Sequence, residues 1–297
     1  MKKLIFEGVG TALITPMRNG KIDYDALFRI IELQIEGGVD ALIVGGTTAE
    51  AATLNLEERE ELYSAVKEAV RGRSKLIFGT GTNDTREVLL RNESAEKIGC
   101  DGILVVTPYY NKGTFLGVTE HYRRIAESTS LPVILYNVPQ RTGVNLTAEQ
   151  LSTLSKIENI VAIKEASDSA DRLTELAAFG DELYLYAGND SQIFLTAALG
   201  GKGVISVISN IFPKTVKKLY KRYASGDAKG ALEIQIKLMP FIKALFSDTN
   251  PSPIKYAMSL LGLCSSELRL PLLEPSEGNR RLIEKELTSV LQFVEEK

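Results

Sequence analysis

Lys164 closes an otherwise apolar run, Ile160-Val161-Ala162-Ile163-Lys164-Glu165-Ala166. A lysine enclosed by apolar walls can offer a neutral amine, the form that attacks a carbonyl carbon and builds a Schiff base. The plainer reading is a lysine that marks where a strand meets water, because most lysines are exposed. Polar groups follow other apolar runs in the same way. They are Gly45-Gly46-Thr47-Thr48-Ala49-Glu50, Gly79-Thr80-Gly81-Thr82-Asn83, Thr107-Pro108-Tyr109-Tyr110-Asn111, Tyr136-Asn137 with Arg141-Thr142-Gly143, Gly188-Asn189-Asp190 and Ser206-Val207-Ile208-Ser209-Asn210. This set is rich in hydroxyls and holds one lysine and one arginine. It suits an anionic carbonyl compound: lysine attacks carbon, arginine grips a carboxylate in bidentate geometry, and hydroxyls move protons.

Each partner of Lys164 also has a plainer reading. Tyr136, on an apolar strand, reads equally as a core tyrosine with a satisfied hydroxyl. Thr47 and Thr48 follow Gly45-Gly46 and read as turn residues. Tyr109-Tyr110 reads as a surface or subunit-contact patch. Arg141 reads as half of a surface ion pair of small energetic weight. For Glu50, between the threonines and a helix, a buried acceptor of backbone N–H groups is favoured over a general base.

The elements that must position these groups alternate along the chain. Strands are expected at Gly8–Pro16, Val39–Gly46, Lys75–Gly81, Asp101–Pro108, Leu131–Pro139, Ile160–Ala166, Leu183–Asn189 and Gly203–Ser209. They are short, nearly continuous and β-branched, as strands buried on both faces are. Helices are expected between them at Asp25–Gly37, Leu56–Val70, Thr85–Ile98, Gly117–Ser128, Thr147–Lys156 and Ser169–Phe179. Asp23, Asn55, Thr85 and Thr147 read as start signals, and Thr147 with Gln150 as a capping box. Eight strand–helix units in roughly 225 residues match a closed (β/α)8 barrel, an α/β architecture of ~250 residues. A doubly wound open sheet is the runner-up, but no Gly-x-Gly-x-x-Gly follows a first strand. In such a barrel, active sites lie at the C-terminal strand ends, which gathers the polar groups above at one mouth. Helical patterns then run on at Pro213–Ala224, Ala228–Phe246, Pro253–Leu261 and Asn279–Glu295. One finishes the barrel. The expected division is a barrel over 1–225 and a helical C-terminal extension over 226–297 packed onto it.

The chain has 297 residues, 44% hydrophobic and 25% charged, an ordinary globular balance. A formal net charge of -3 argues against nucleic-acid or anionic-membrane partners. No run approaches the ~18 apolar residues of a membrane span. Glu7 and Gly8 interrupt the apolar start, so no signal peptide is expected. Cys100 and Cys264 lack metal-ligand spacing and read as small apolar core residues of a reduced, cytoplasmic protein. His121 is the single histidine. A histidine zinc site and a Ser-His-Asp triad are therefore not expected, no metal or cofactor is expected, and His121 itself is expected at the surface.

Five motifs together resemble one family: Gly46-Thr47-Thr48-x-Glu50, Val105-Val106-Thr107-Pro108-Tyr109-Tyr110-Asn111, Tyr136-Asn137-Val138-Pro139-x-Arg141-Thr142-Gly143, Ile163-Lys164-Glu165-Ala166 and Gly203-Val204-Ile205-Ser206-Val207. The likeness is to the dihydrodipicolinate synthases, within the pyruvate-dependent class I aldolase superfamily that also holds the N-acetylneuraminate lyases. It runs from about Gly8 to Pro271, through Asn250-Pro251-x-Pro253 and Leu268-Arg269-Leu270-Pro271. The resemblance implies that Lys164 forms an imine with pyruvate and that the derived enamine attacks aspartate 4-semialdehyde. Protons would pass through Tyr136, Thr47 and Tyr110, the last supplied by a neighbouring subunit. Thr48 would hold the pyruvate carboxylate and Arg141 the carboxylate of the aldehyde, with Gly188 and Ile205 orienting the imine. A homo-oligomer, a dimer of dimers, is implied. So is an effector site for lysine at Asn83, Glu87 and Tyr109, although Ala51, Leu56 and Arg59 depart from the sensitive pattern, so weak or absent inhibition is expected.

Arg141 favours the synthase branch over sugar-acid aldolases and lyases, because a buried carboxylate partner discriminates strongly. A related 2-keto acid lyase acting on a sugar acid is the alternative enzyme, and a non-catalytic oxo-acid-binding barrel the alternative outside catalysis. Ala49 and Ala51 stand where the family usually has glycine and serine. If position 49 needs a positive φ, alanine strains the turn by roughly 1 kcal/mol or more. Gly113, Phe115-Leu116 and Ser252 are further departures.

Overall fold

The computed structural model describes residues 2–295, so Met1 and 296–297, the outermost positions of the two expected units, lie outside it. Eight strands form the frame: β1 Gly8–Ala12, β2 Ala41–Val44, β3 Lys75–Gly79, β4 Gly102–Val106, β5 Val133–Asn137, β6 Ile160–Glu165, β7 Tyr184–Ala187 and β8 Gly203–Ser206. They pair in parallel in chain order, and β8 pairs back onto β1 to close the barrel. Every expected strand is present and ends sooner than expected. The polar residues past the strand ends leave the ladder, and three segments, Thr47–Ala49, Asp190–Gln192 and Ile208–Asn210, fold into single 3-10 turns.

Side-chain alternation sorts the strands into two cores. Ala41 and Ile43 face the barrel interior with Ile77, Leu104, Ile134 and Ile205. Leu42 and Val44 face the surrounding helices. Phe6, just before β1, fills the N-terminal end of the interior and stacks on Tyr186 at 4.5 Å between ring centroids. One irregularity aims the key residue. β6 pairs Ile160 with Val133 but Ala162 with Ile134, so Val161 is an extra residue on that strand. Bulges re-aim side chains, and this one sets Lys164 directly opposite Tyr136.

Helices Tyr24–Glu36, Leu56–Val70, Thr85–Ile98, Phe115–Glu127, Ala148–Leu154, Ala170–Ala177, Ile193–Ala198 and Pro213–Ala224 follow the eight strands in turn. Ile193–Ala198 was not expected; six residues are too few for a 3.6-residue period to show. A small ladder, Met17–Arg18 with Lys21–Ile22, was also missed. Its signal is Asn19-Gly20, both at positive φ, the usual sequence of a two-residue hairpin turn. Asp23 caps its helix, and Asn55 and Thr147 sit in complete capping boxes with Glu58 and Gln150. Thr85 is not a cap. Asp84 takes that role by accepting from Arg86 N.

The Thr85 hydroxyl goes instead to His121, 2.9 Å from Nδ1. His121 is buried, against the surface position expected for it. Helix Phe115–Glu127 turns Val118, His121, Tyr122 and Ile125 inward at helical spacing. Glu120, Arg123 and Arg124 on the other face made the stretch look polar. Burial pulls the His121 pKa down from 6.5 to about 4, with Asp84 opposing weakly. Cys264 is buried, and Cys100, half-buried, packs against the same core; burial pushes both thiols up to about 11.

Of the C-terminal helices Ala228–Leu245, Ser252–Leu260 and Glu277–Glu295, the first packs on helix Pro213–Ala224, and the three pack on one another. Arg269 ties the connection before the last helix back to the barrel, donating to Thr53 O at 2.8 Å and pairing with Glu58. Among the described residues, no helix is long and apolar enough to cross a membrane.

Candidate active site

A cavity of about 460 Å³ opens at the C-terminal ends of the strands. Its wall includes Thr47, Tyr109, Tyr136 and Arg141 from the expected set, together with Glu50, Arg91 and Asn250. Lys164 is not itself on that wall. It is 5% exposed, and its Nζ lies 4.2 Å from the centroid of the Tyr136 ring, which is on the wall. The Tyr136 hydroxyl has no hydrogen-bond partner among the described residues, which removes the reading of a satisfied core tyrosine.

The chain buries a second lysine, and the contrast is informative. Lys255 is fully buried and sits 2.6 Å from the buried Glu50 carboxylate. Lys164 has no carboxylate within ion-pair distance among the described residues. A buried lysine kept for structure is paired. Lys164 is enclosed, unpaired and next to the cavity. Lys164 acts electrostatically on the buried Asp190. Burial raises the Asp190 pKa, while hydrogen bonds from Ser206 and from the Val207 and Ile208 N–H groups and the charge of Lys164 oppose the rise.

Threonines 47 and 48 occupy one 3-10 turn after β2. Gly45 enters that turn at φ 73, and a Cβ there would collide with the Tyr63 hydroxyl at 2.3 Å. Glu50 leaves it in the left-handed region at φ 56. Ala49 has ordinary turn geometry, so the strain considered for an alanine at that position does not arise. Glu50 does accept a backbone N–H, from Arg269 at 2.9 Å, as expected; the Lys255 ammonium on its other oxygen was not foreseen. Among the described residues the backbone N–H groups of Thr47 and Thr48 have no acceptor. Two free donors and two hydroxyls on one tight turn make a receptor for a carboxylate.

Arg141 stands at the mouth on the short helix Pro139–Thr142, with Nη2 donating to Asn250 O at 3.0 Å. That replaces the surface ion pair considered for it. Asn250 also donates its side-chain Nδ2 to Thr48 Oγ1 at 3.0 Å. Sequence reasoning gave Asn250 no role, because it lies beyond the barrel strands where the strand-end rule does not look. Gly188 meets Glu165 O through its own N–H, and any Cβ there would lie 2.6 Å from that oxygen. Ile205 is fully buried in the barrel interior.

Glu165, next to the lysine, points the other way and is fully engaged. Its oxygens accept from Asn137 Nδ2 at 3.0 Å, from Ser167 N at 3.0 Å and from Arg172 Nε at 3.4 Å. That clamp fixes the end of β6, and with it Lys164.

Tyr110 is not brought to the cavity. It is 88% exposed, at φ 71. Of the expected effector residues, Tyr109 is on the cavity wall and bonds Thr82 Oγ1 at 3.3 Å. Glu87 is engaged by Arg91 Nε at 3.0 Å, and Asn83 by Asn111. Arg59 is buried and committed to the carbonyl of Ala51. Ser252, a departure from the family, donates to Leu273 O at 2.6 Å beside the cavity wall.

The chain was compared with known proteins. The model of the dihydrodipicolinate synthetase family matches residues 5–290. A 4-hydroxy-tetrahydrodipicolinate synthase from Alkaliphilus oremlandii is 46% identical over 284 residues, covering 95% of this chain and 98% of the relative. The dihydrodipicolinate synthase structure from Thermotoga maritima superposes with a TM-score of 0.95 at 43% identity, covering 97% of this chain and 100% of that one. A structure described as the first monomeric dihydrodipicolinate synthase variant superposes with a TM-score of 0.94 at 43% identity, covering 96% and 97%. With near-complete coverage in both directions, and with an unpaired buried lysine at the mouth of a closed β/α barrel, the chain belongs to the dihydrodipicolinate synthetase family.

Proposed function

We propose that this chain condenses pyruvate with L-aspartate 4-semialdehyde to 4-hydroxy-tetrahydrodipicolinate, a step of lysine and diaminopimelate synthesis, with Lys164 as the nucleophile. The Lys164 amine adds to the pyruvate ketone carbon and water leaves, giving an imine. A methyl proton is lost and the iminium takes up the electron pair as an enamine. The enamine carbon bonds the aldehyde carbon. The amine of the second substrate then adds to the imine carbon, closing the ring and releasing Lys164. Tyr136 and Thr47, both on the cavity wall, move the protons with Tyr110. Thr48 and the free N–H groups of its turn take the pyruvate carboxylate, Arg141 takes that of the aldehyde, and main-chain groups of Gly188 and Ile205 orient the imine.

The observation that carries this reading is the contrast between the two buried lysines: Lys255 is paired with Glu50, whereas Lys164 is unpaired and lies over Tyr136. Borohydride reduction in the presence of pyruvate, followed by peptide mass spectrometry, tests it. One reduced pyruvate adduct on Lys164 is expected, and an unmodified Lys164 would sink the proposal. Arg141→Ala should still form that adduct while losing most use of the aldehyde. Cleavage of N-acetylneuraminate by the wild type, without condensation, would move the chain to the sugar-acid branch.

The working form is inferred to be a cytoplasmic homo-oligomer in which the partner supplies Tyr110. The almost complete exposure of that tyrosine supports this. Lysine feedback is weak or absent, because Glu87 is held by Arg91 and Arg59 by Ala51. Turnover should be unchanged by millimolar lysine; a steep loss would refute this.

A further inference from the structure

Asn250 connects the two carboxylate holders of the site. It sits between helices Ala228–Leu245 and Ser252–Leu260, is buried, and lies on the cavity wall. Its side chain and its main chain do different things. The side-chain Nδ2 donates to Thr48 Oγ1 at 3.0 Å. The main-chain oxygen accepts from Arg141 Nη2 at 3.0 Å. The side-chain Oδ1 is buried and has no partner among the described residues.

A threonine hydroxyl has one proton to give. Because Thr48 Oγ1 already accepts from Asn250, that proton is free to point at a ligand. In the opposite amide orientation Thr48 would donate to Asn250 and present only lone pairs to an arriving carboxylate, which repels them. We infer that Asn250 is a positioning residue contributed by the C-terminal helices: its side-chain amide sets the Thr48 hydroxyl as a donor for the pyruvate carboxylate, while its carbonyl independently seats Arg141 for the carboxylate of the aldehyde. This rests on the carboxylate roles proposed above for Thr48 and Arg141.

The division between side chain and main chain makes a sharp test. Asn250→Ala removes the amide and keeps the carbonyl. In steady-state kinetics on the full-length enzyme, it should raise KM for pyruvate roughly ten-fold, the scale of one hydrogen bond to a charged group. KM for the aldehyde and kcat should stay within about two-fold. In a Thr48→Val background, Asn250→Ala should add nothing further to KM for pyruvate, since the two act as one unit. Asn250→Asp, of the same shape, replaces the donor with an acceptor and should raise KM for pyruvate at least as much; it serves if the alanine variant does not fold. An unchanged KM for pyruvate, an equal rise in both KM values, a fall in kcat alone, or full additivity with Thr48→Val would each overturn the inference. The borohydride adduct on wild-type Lys164 reports separately on the underlying reaction.

Discussion

Lys164, Lys255 and His121 show how burial gives the same kinds of side chain different work. Lys255 meets Glu50 at 2.6 Å and is structural. Lys164 meets the face of Tyr136 and has no carboxylate within ion-pair distance among the described residues, the arrangement a Schiff-base lysine needs. His121 is a core residue whose cost depends on pH. Its pKa is lowered from 6.5 to about 4 in the fold, so between those values the unfolded chain binds a proton that the folded chain does not. Its stabilising contribution is therefore complete above pH 6.5 and is lost progressively as pH falls toward 4, by roughly 3 kcal/mol at the limit. Because it is the only histidine, His121→Asn should remove most of the fall in the urea midpoint between about pH 7 and pH 5. A variant that falls as steeply as the wild type would refute this.

At the scale of elements, the turn Thr47–Ala49 is held from three sides. Gly45 admits Tyr63 behind it, Glu50 anchors its end to Lys255 and Arg269 N, and Asn250 bonds Thr48. Two of those three holds come from beyond the barrel strands. Lys255→Met should therefore cost about 3–5 kcal/mol in urea unfolding, because it leaves the Glu50 carboxylate buried without its cation. Glu50→Gln with Lys255→Met should recover part of that loss, since the uncompensated charge is gone. A double variant less stable than the single would show that the charge is not the reason. The strand–helix alternation was legible because buried parallel strands read as apolar runs, and the capping residues were legible where a side chain answers its own backbone, as at Asn55 and Thr147. Ile193–Ala198 was too short to carry a period, and the bulge at Val161 leaves no mark in composition.

The whole molecule leaves one member of the expected proton path outside. Tyr110 is on the surface, and the cavity lacks it. If a partner copy supplies it, two inactive variants should complement each other. Mixing Tyr110→Phe with Lys164→Ala subunits, after dissociation and reassembly, should restore activity, because one site of each mixed dimer has an intact lysine and receives an intact tyrosine. No recovery, with mixed oligomers demonstrated, would place Tyr110 outside the site. A structure described as a monomeric dihydrodipicolinate synthase variant is among the structural neighbours.

The order of residues alone determined the barrel and singled out Lys164 as the candidate nucleophile, because both rest on local pattern: apolar runs of strand length, and polar groups at their ends. It also carried the motif threonines, Tyr136 and Arg141. Tertiary structure decided which of two buried lysines is free, that His121 is enclosed, that Glu50 rather than Ala49 takes the left-handed conformation, and that Asn250 reaches Thr48 across 202 positions of chain. Those outcomes depend on which side chains distant segments bring together. Pairing and burial are properties of neighbours in space, and a linear pattern does not encode them.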